Sequence, residues 1–146
     1  MIVVKLEPVT ASDIGLSAAL SEADLPTEDI GDPGRSFFRG TDTSGSTVGY
    51  SGVEDCGNFA LLRSVVVLPG HRGKALGKLL AEATLETISP GSQVYLATTS
   101  AAPFFAALGF VAVDRAEVPM AILSTRQLSG ICPASAIIMK LGRPPT

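Results

Sequence analysis

The chain has 146 residues, with 11 Lys and Arg against 14 Asp and Glu, a formal net charge of -3, and 46% hydrophobic residues. This length fits one domain, and a chain of this size buries roughly 70% of its unfolded surface, which argues against intrinsic disorder. The scattered basic residues exclude a nucleic-acid-binding face, and no apolar run approaches the roughly 20 residues of a membrane span. We therefore expect a cytoplasmic protein with no nucleic-acid or membrane partner.

The first quarter of the chain predicts a strand, a helix and a loop. Residues 3–9 alternate and carry β-branched side chains, as a short strand does. Thr10 and Asp13 resemble a capping box, which predicts a helix over residues 11–22. Several Gly and Pro residues then interrupt regular structure up to residue 34. This stretch is either a loop-rich flap over a site or a plain connector.

A hairpin, a buried strand and the strongest helix follow. Residues 36–41 and 47–54 flank a polar turn and predict an antiparallel hairpin. The strand over residues 58–68 ends in an unbroken apolar run, which is typical of burial on both faces. Leucines recur at helical spacing over residues 72–87, with acidic side chains on the other side.

The last third predicts shorter elements. They are a strand over 92–98, a helix from a Ser100 cap to Leu108, a stop at Gly109, a strand over 110–115, a weak helix or loop over 119–130 and a strand over 136–141. Strands joined by a helical crossover are parallel, whereas a hairpin is antiparallel. We therefore predict an α+β fold, with a mixed sheet flanked by helices. One domain covers residues 1–142, and residues 143–146 form a flexible tail.

The segment from Leu68 to Gly77 joins the buried strand to the strongest helix and is rich in small residues. Backbone N–H groups at a helix start have no partner within the helix, so such an end attracts anions. A Walker A loop is excluded because the run from Gly73 to Leu79 is one residue short and ends in Leu instead of Ser or Thr. The spacing of Gly70, Gly73 and Gly77 also excludes a dinucleotide fingerprint. A tight turn without a ligand is the alternative.

The run from Val65 to Gly77 resembles motif A of the GNAT N-acetyltransferases, in which an apolar strand enters an Arg-x-x-Gly-x-Gly/Ala loop. The matching positions are Arg72, Leu76 and Gly77, and Ala75 replaces the usual central Gly. In that family the loop amides hold the pyrophosphate of acetyl-CoA, and the strand pairs with the pantetheine arm. The resemblance implies that the pantetheine lies at Val65 and Val67, and the pyrophosphate at Arg72, Gly73, Lys74, Ala75 and Gly77.

Residues 98–110 resemble motif B of the same family, Asn-x-x-Ala-x-x-x-Tyr-x-x-x-Gly-Phe. The agreeing positions are Ala101, Gly109 and Phe110. Thr98 stands at the Asn position, and Phe105 stands where many members carry the Tyr that protonates the departing CoA sulfur. The resemblance implies that Thr98 and Phe105 contact acetyl-CoA, although a buried core position is the ordinary alternative for Phe105.

Short strings also resemble the arsenic-operon-associated, ArsN-type acetyltransferases. They occur at residues 60–64, 95–99, 113–115 and 132–136. This resemblance implies an acceptor that is an amino acid or an organoarsenical amino-acid analogue. The function classes that remain open are an enzyme that acetylates a small amine and a non-catalytic sensor of acetyl-CoA or another ligand. The oligomeric state is left open, with a homodimer as one option.

Acetyl transfer to an amine needs a base, and Glu54 is the acidic residue that the predicted hairpin places beside the acceptor. A solvated carboxylate at a strand end is the alternative. Arg63 interrupts an apolar strand, and an unpaired buried guanidinium is costly. Arg63 therefore pairs with Glu54, with another acid or with a substrate carboxylate. The further substrate-binding candidates are Ser64, beside it, and Arg115, which has a surface ion pair as its alternative.

The cysteines and the single histidine give weaker signals. Cys56 and Cys132 have no second Cys or His at ligand spacing, so we expect no metal and two reduced thiols. Cys132 fits either contact with a soft arsenic atom or a buried structural position. His71 lies beside the anion-attracting loop, where it assists that site or faces water, and it is not a candidate for the base.

Overall fold

The computed structural model describes residues 3–73, 75–125, 128–129 and 135–142. The strands are β1 (Lys5–Val9), β2 (Arg35–Thr41), β3 (Thr47–Asp55), β4 (Phe59–Val67), β5 (Gln93–Thr98), β6 (Phe110–Ala112) and β7 (Ile137–Leu141). The helices are α1 (Ile14–Glu22), α2 (Leu76–Leu85), α3 (Ala102–Ala106) and α4 (Met120–Leu123), with a 3-10 turn over Arg115–Glu117. In this part of the chain, no helix has the length and apolar character to cross a membrane.

The strands form one mixed sheet in the order β1-β2-β3-β4-β5-β7-β6. Every neighbouring pair is antiparallel except β4 and β5, which are parallel. The helix α2 makes the crossover between these two strands. The predicted α+β class, the hairpin and the parallel pair are thereby confirmed.

Helices cover both faces of the sheet. On one face, α2 packs against β1, β3 and β4, and its side chains join the largest apolar cluster together with Phe105 and Phe110. On the other face, α1 packs against β3 and β4, and α4 packs against β4. Two separate apolar clusters form there, one around Leu16 and Leu20 and one around Ile122.

A bulge interrupts β4 at its centre. The register between β3 and β4 shifts between Tyr50 and Gly52, and Ser64 on the opposite strand has a φ of +59°. The left-handed region is uncommon for a residue other than glycine. The extra residue of a bulge bends the strand and moves the following side chains to the other face.

The bulge decides which face each later β4 side chain occupies. Strict alternation would place Ser64 and Val66 on the same face as Leu62. Instead, Val65 and Val67 pack on that face against α2, while Val66 packs against α1 on the opposite face.

Two predicted helix starts are wrong in their details. The first helix begins at Ile14 rather than residue 11, because Asp13 itself caps it by accepting from the Leu16 N–H at 2.9 Å. Thr10 instead hydrogen-bonds to the Ser12 hydroxyl. The second helix begins at Leu76 rather than residue 72, since the preceding residue, Ala75, is left-handed with a φ of +60°. A left-handed residue cannot continue a right-handed helix.

Two boundaries near the C-terminal half also differ from the prediction. The predicted Ser100 cap is wrong, because α3 starts at Ala102 and its preceding turn is closed by the Thr98 hydroxyl, which accepts from the Ala101 N–H at 3.0 Å. The strand β6 ends at Ala112 rather than residue 115, because the chain turns into the 3-10 segment. Residues 143–146, predicted as a flexible tail, lie outside the described residues.

Candidate functional site

A cleft of about 950 Å³ opens where β4 and β5 separate. The described pairing between these parallel strands covers Phe59–Leu61 and Gln93–Tyr95. Beyond these residues the two strands are no longer paired with each other, and both line the cleft. The edge of β4 that faces the cleft therefore presents backbone groups that an extended ligand can pair with.

Three walls enclose this cleft, and we name them by their elements. The β4–α2 wall comprises Leu62–Val67, Arg72 and Gly77. The β5–α3 wall comprises Leu96–Ala101, Phe104, Phe105 and Ala136. The α1–β2 wall comprises Ser21 and Ala23–Glu28, so the predicted flap between α1 and β2 does lie against a site.

The β4–α2 wall contains four of the predicted cofactor-binding residues, Val65, Val67, Arg72 and Gly77, whereas Gly73 and Ala75 are not among the residues that line the cleft. Val65 and Val67 are half-buried and line the cleft on the α2 side. Arg72 folds back over the end of β4, where its Nε donates to the Val67 carbonyl at 2.8 Å. Gly73 and Ala75 adopt left-handed conformations between Arg72 and α2. Lys74, also predicted to bind the cofactor, lies outside the described residues.

The start of α2 is open to an anion. No side chain caps it, and no acidic residue occupies its first turn. Its first backbone N–H groups therefore keep the partial positive charge of a helix N-terminus. Gly77 lines the cleft at this point, and a Cβ there would lie 3.3 Å from Phe104 and Val67 atoms. The backbone of α2 thus comes close to the β5–α3 wall and to β4 because position 77 has no side chain.

The β5–α3 wall contains Thr98 and Phe105, the other two predicted cofactor contacts. The Thr98 hydroxyl is occupied in closing the turn before α3. The Phe105 ring is 9% exposed and packs edge-on against Phe104 and Phe110, with centroid separations of 5.0 and 5.9 Å. Phe105 is therefore both a core residue and part of the cleft lining, and the two interpretations of this position are compatible.

A buried ionic cluster lies behind the α1–β2 wall, and we define it as Asp29, Arg35, Glu54 and Arg63. Arg63 donates from Nη1 and Nη2 to the two carboxylate oxygens of Asp29, each at 2.6 Å. Arg35 reaches Asp29 at 3.2 Å and Glu54 at 3.4 Å. Glu54 lies 3.5 Å from Arg63 as well. Asp29 is fully buried, and Arg63 is 3% exposed.

Arg63 therefore has an internal partner, which was one of the predicted alternatives. The partner is chiefly Asp29, with Glu54 more distant. Its third nitrogen, Nε, donates to the Ser64 hydroxyl at 3.2 Å, and the guanidinium carbon lies 5.7 Å from the centre of the Phe37 ring. Arg63 and Ser64 both line the cleft, but a substrate carboxylate would have to displace Asp29 to gain the same two bonds.

The ionic cluster changes the proton affinity of its carboxylates in opposite directions. Burial alone would raise the pKa of Asp29, but the hydrogen bonds and charges of Arg63 and Arg35 outweigh it and hold that pKa below its usual value. For Glu54, burial raises the pKa above its usual value despite the attraction of Arg35 and Arg63. Asp29 is thus the firmly ionised partner, whereas Glu54 takes up a proton more easily.

Not all predicted site residues come together. Glu54 is 5% exposed and belongs to the ionic cluster, but it is not among the residues that line the cleft. Arg115 is exposed on the 3-10 turn and does not line the cleft either. Cys132 lies outside the described residues, and Cys56 is a free thiol whose pKa burial raises to about 11. Among the described residues, no group of three metal-ligating side chains occurs.

Sequence reasoning missed Asp29 and Arg35. The pair Glu28-Asp29 fits the start of a short helix, so its acidic residues gave no sign of an ion pair. A signal was nevertheless present, because an Arg in an apolar strand requires an acidic partner. The sequence could not decide which of its acidic residues that partner is.

Comparison with known proteins gives the family. The family model described as "Acetyltransferase (GNAT) domain" matches residues 33–112, which contain β2 to β6. The chain belongs to the GNAT acetyltransferase family. The predicted family and the predicted enzyme class are confirmed by this match, whereas the ArsN-type branch stays a prediction. No curated protein matches the chain at a significant level.

Solved structures share the fold at low sequence identity. A GNAT-family acetyltransferase from Staphylococcus aureus Mu50 is 18% identical with a TM-score of 0.67, covering 98% of this chain and 99% of that one. Rv2747 from Mycobacterium tuberculosis, solved in complex with CoA, is 16% identical with a TM-score of 0.68, over 94% and 98% of the two chains. N-acetylglutamate synthase from Neisseria gonorrhoeae, solved with coenzyme A and N-acetyl-glutamate, is 16% identical with a TM-score of 0.72, over 98% and 35%. The fold of this acetyltransferase thus extends beyond the region that the family model matches.

Proposed function

We propose that this chain transfers the acetyl group of acetyl-CoA to the amine nitrogen of a small molecule held in the cleft between β4 and β5. The observation that carries the proposal is the separation of these parallel strands after Leu61 and Tyr95, next to the open N-terminus of α2. An extended thioester arm fits the free strand edge, and its phosphate groups fit the helix end.

The residues of the β4–α2 wall fit acetyl-CoA. The backbone of Val65 and Val67 would pair with the pantetheine arm, and the amides from Arg72 to Gly77 would hold the pyrophosphate. Gly77 supports this assignment, because any side chain there would crowd Phe104 and Val67 at the N-terminus of α2. Thr98 and Phe105 would border the arm from the opposite wall.

When bound, acetyl-CoA supplies a thioester, whose C–S bond breaks as the amine nitrogen forms its bond to the carbonyl carbon. Glu54 is our candidate for the group that takes the proton from the amine, through water because it does not line the cleft. Its raised pKa is in the direction that suits a base working near neutral pH. Phe105 has no proton to give, and the thiolate leaves without an acid because its pKa is only about 8.5.

The acceptor class is the finer part of the proposal. The ArsN-type resemblance supports an amino acid or an organoarsenical amino-acid analogue. Arg63 and Ser64 both line the cleft, and the acceptor would lie beside them. Direct reading of a substrate carboxylate by Arg63 stays a prediction, since Asp29 already holds both terminal nitrogens.

Release of free thiol from acetyl-CoA tests the proposal. The protein would be assayed with a thiol reagent against the common L-amino acids, their decarboxylated amines, and amine-bearing arsenical and herbicide analogues. We expect acceptor-dependent thiol release with at least one member, above the rate without acceptor. Calorimetric binding of acetyl-CoA with no thiol release for any amine would instead support the sensor alternative. Absence of acetyl-CoA binding would reject both.

A further inference from the structure

We infer that Asp29 is a positioning residue that fixes the α1–β2 wall of the cleft to the bulged strand β4. The inference rests on the proposed function, because the wall matters only if an acceptor binds beside it. Asp29 itself does not line the cleft, whereas the preceding residues Leu25–Glu28 do. These two adjacent residues thus lie in different environments, since Glu28 is exposed at the cleft and Asp29 is fully buried.

The wall has few other attachments to the sheet. Residues 25–30 contain no helix or strand. Their described backbone bonds are local: the Leu25 N–H donates to Leu20 at 2.8 Å, the Ile30 N–H to Thr27 at 3.5 Å, and the Asp32 N–H to the Asp29 carbonyl at 3.0 Å. The side chains of Leu25 and Ile30 are only partly buried, against the apolar cluster around Leu16 and Leu20. The bidentate contact of Asp29 with Arg63 is therefore the strongest described polar link between the wall and the sheet.

The other end of this link is itself held in place. Arg63 lies one residue before the left-handed Ser64, whose hydroxyl faces the Arg63 Nε. The guanidinium also lies over the Phe37 ring. Arg35, at the start of β2, contacts both Asp29 and Glu54, so the loop between α1 and β2 is also held at its β2 end. Asp29 is consequently bound at both strands that border the wall.

This geometry relates the positions of the proposed acetyl-CoA arm and the proposed acceptor, which must lie close together for acetyl transfer. The residues after Ser64, Val65 to Val67, border the proposed acetyl-CoA arm, and the α1–β2 wall borders the proposed acceptor. One carboxylate sets the spacing between them. A displacement of about 1 Å in such a site can lower the rate 100-fold. A rigid link therefore supports the reaction rate in addition to the stability of the fold. An apolar side chain could fill the same space but would not fix this register.

Asp29→Asn is the direct test, with Glu7→Gln as the matched control, because Glu7 pairs with Arg39 at 3.3 Å on the surface of β1. Hydrogen exchange would measure the amides of residues 23–30. Steady-state kinetics would use the panel amine with the highest kcat/KM, and calorimetry would give the acetyl-CoA affinity. We expect at least tenfold faster exchange and at least a tenfold higher acceptor KM in Asp29→Asn. The acetyl-CoA affinity should change less than twofold, and the acidic limb of the pH profile should move to lower pH, because the charge of Asp29 raises the pKa of Glu54.

The outcomes separate the alternatives. Unchanged exchange and acceptor KM in a folded Asp29→Asn protein would overturn the inference, as would an equal loss of acetyl-CoA affinity and acceptor binding. A wild-type preference for amino acids over decarboxylated amines that disappears in Arg63→Lys but persists in Asp29→Asn would also overturn it, because Arg63 would then read the substrate. If Asp29→Asn does not fold, Arg35→Gln decides. It removes the 3.2 Å contact to Asp29, along with the 3.4 Å contact to Glu54, but keeps the bidentate bond to Arg63, so it should give the same changes at smaller size. If no amine is acetylated, the proposed function fails, and the exchange data still decide the link.

Discussion

The β4–α2 wall and the α1–β2 wall face the same cleft but are built from different interactions. The first consists of residues that lie close together in the sequence, from β4 to the start of α2, and its Val65 and Val67 pack against α2 through apolar contacts. The second is a loop that a buried ionic cluster joins to the sheet through Asp29. Apolar packing tolerates small changes of shape, whereas a buried charge that loses its partner is strongly destabilising. The two walls should therefore respond differently to substitution.

The largest expected effect concerns Glu54, in the ionic cluster. As the base, Glu54 must be ionised, and its raised pKa places the acidic limb of the rate profile above the ordinary glutamate range. Glu54→Gln should lower kcat/KM by about 10²–10⁴-fold and remove that limb, with the acetyl-CoA affinity nearly unchanged. The exposed Glu82 provides the control Glu82→Gln. Near wild-type rates at every pH in Glu54→Gln would assign the proton to another residue or to water alone.

The next largest expected effect is the loss of stability when a buried ion pair is broken, compared with the loss for an exposed pair. Arg63→Met leaves Asp29 with only the longer contact to Arg35, so we expect a loss of about 3–5 kcal/mol in the free energy of unfolding. Glu7→Gln breaks the surface pair with Arg39 and should cost less than about 1 kcal/mol. Urea unfolding would measure both. Equal losses in the two variants would mean that the ionic cluster is no more important than a surface pair.

A charge placed in the β4–α2 wall should weaken binding beyond the cost of crowding Phe104 and Val67. Gly77→Asp brings a carboxylate to the proposed pyrophosphate position, where like charges repel, and acetyl-CoA should bind about 100-fold more weakly. Gly91→Asp is the matched control, because a side chain there meets nothing within 4 Å. Calorimetry on both folded variants would test this. An unchanged affinity for Gly77→Asp would remove the cofactor assignment from this wall.

The smallest effect concerns the left-handed residue before α2. Ala75 has a φ of +60°, a conformation that costs an L-residue about 1–2 kcal/mol and costs glycine little. Part of this gain is offset by the greater freedom of glycine in the unfolded chain. Ala75→Gly should therefore stabilise the fold by at most about 1 kcal/mol in urea unfolding. A destabilised variant would show that the methyl group makes contacts that outweigh the backbone strain.

The sequence by itself predicted what depends on neighbouring residues. The hairpin, the helical spacing of α2 and the run from Val65 to Gly77 are local patterns, so the sheet class, the crossover and the β4–α2 wall could be inferred from them. The helix starts were less accurate, because a single hydrogen bond of Asp13 or the φ of Ala75 decides them.

Only the tertiary structure decided the opposite side of the cleft. Asp29 and Arg63 are 34 residues apart, and the sequence left Glu54, another acid and a substrate carboxylate open as partners of Arg63. The bulge at Ser64 likewise depends on the pairing of β3 with β4, and it determines that Val65 and Val67, not Val66, face α2. Local patterns fix periodicity and turns, whereas the choice among distant charged partners depends on which side chains the folded sheet brings into contact where water is excluded.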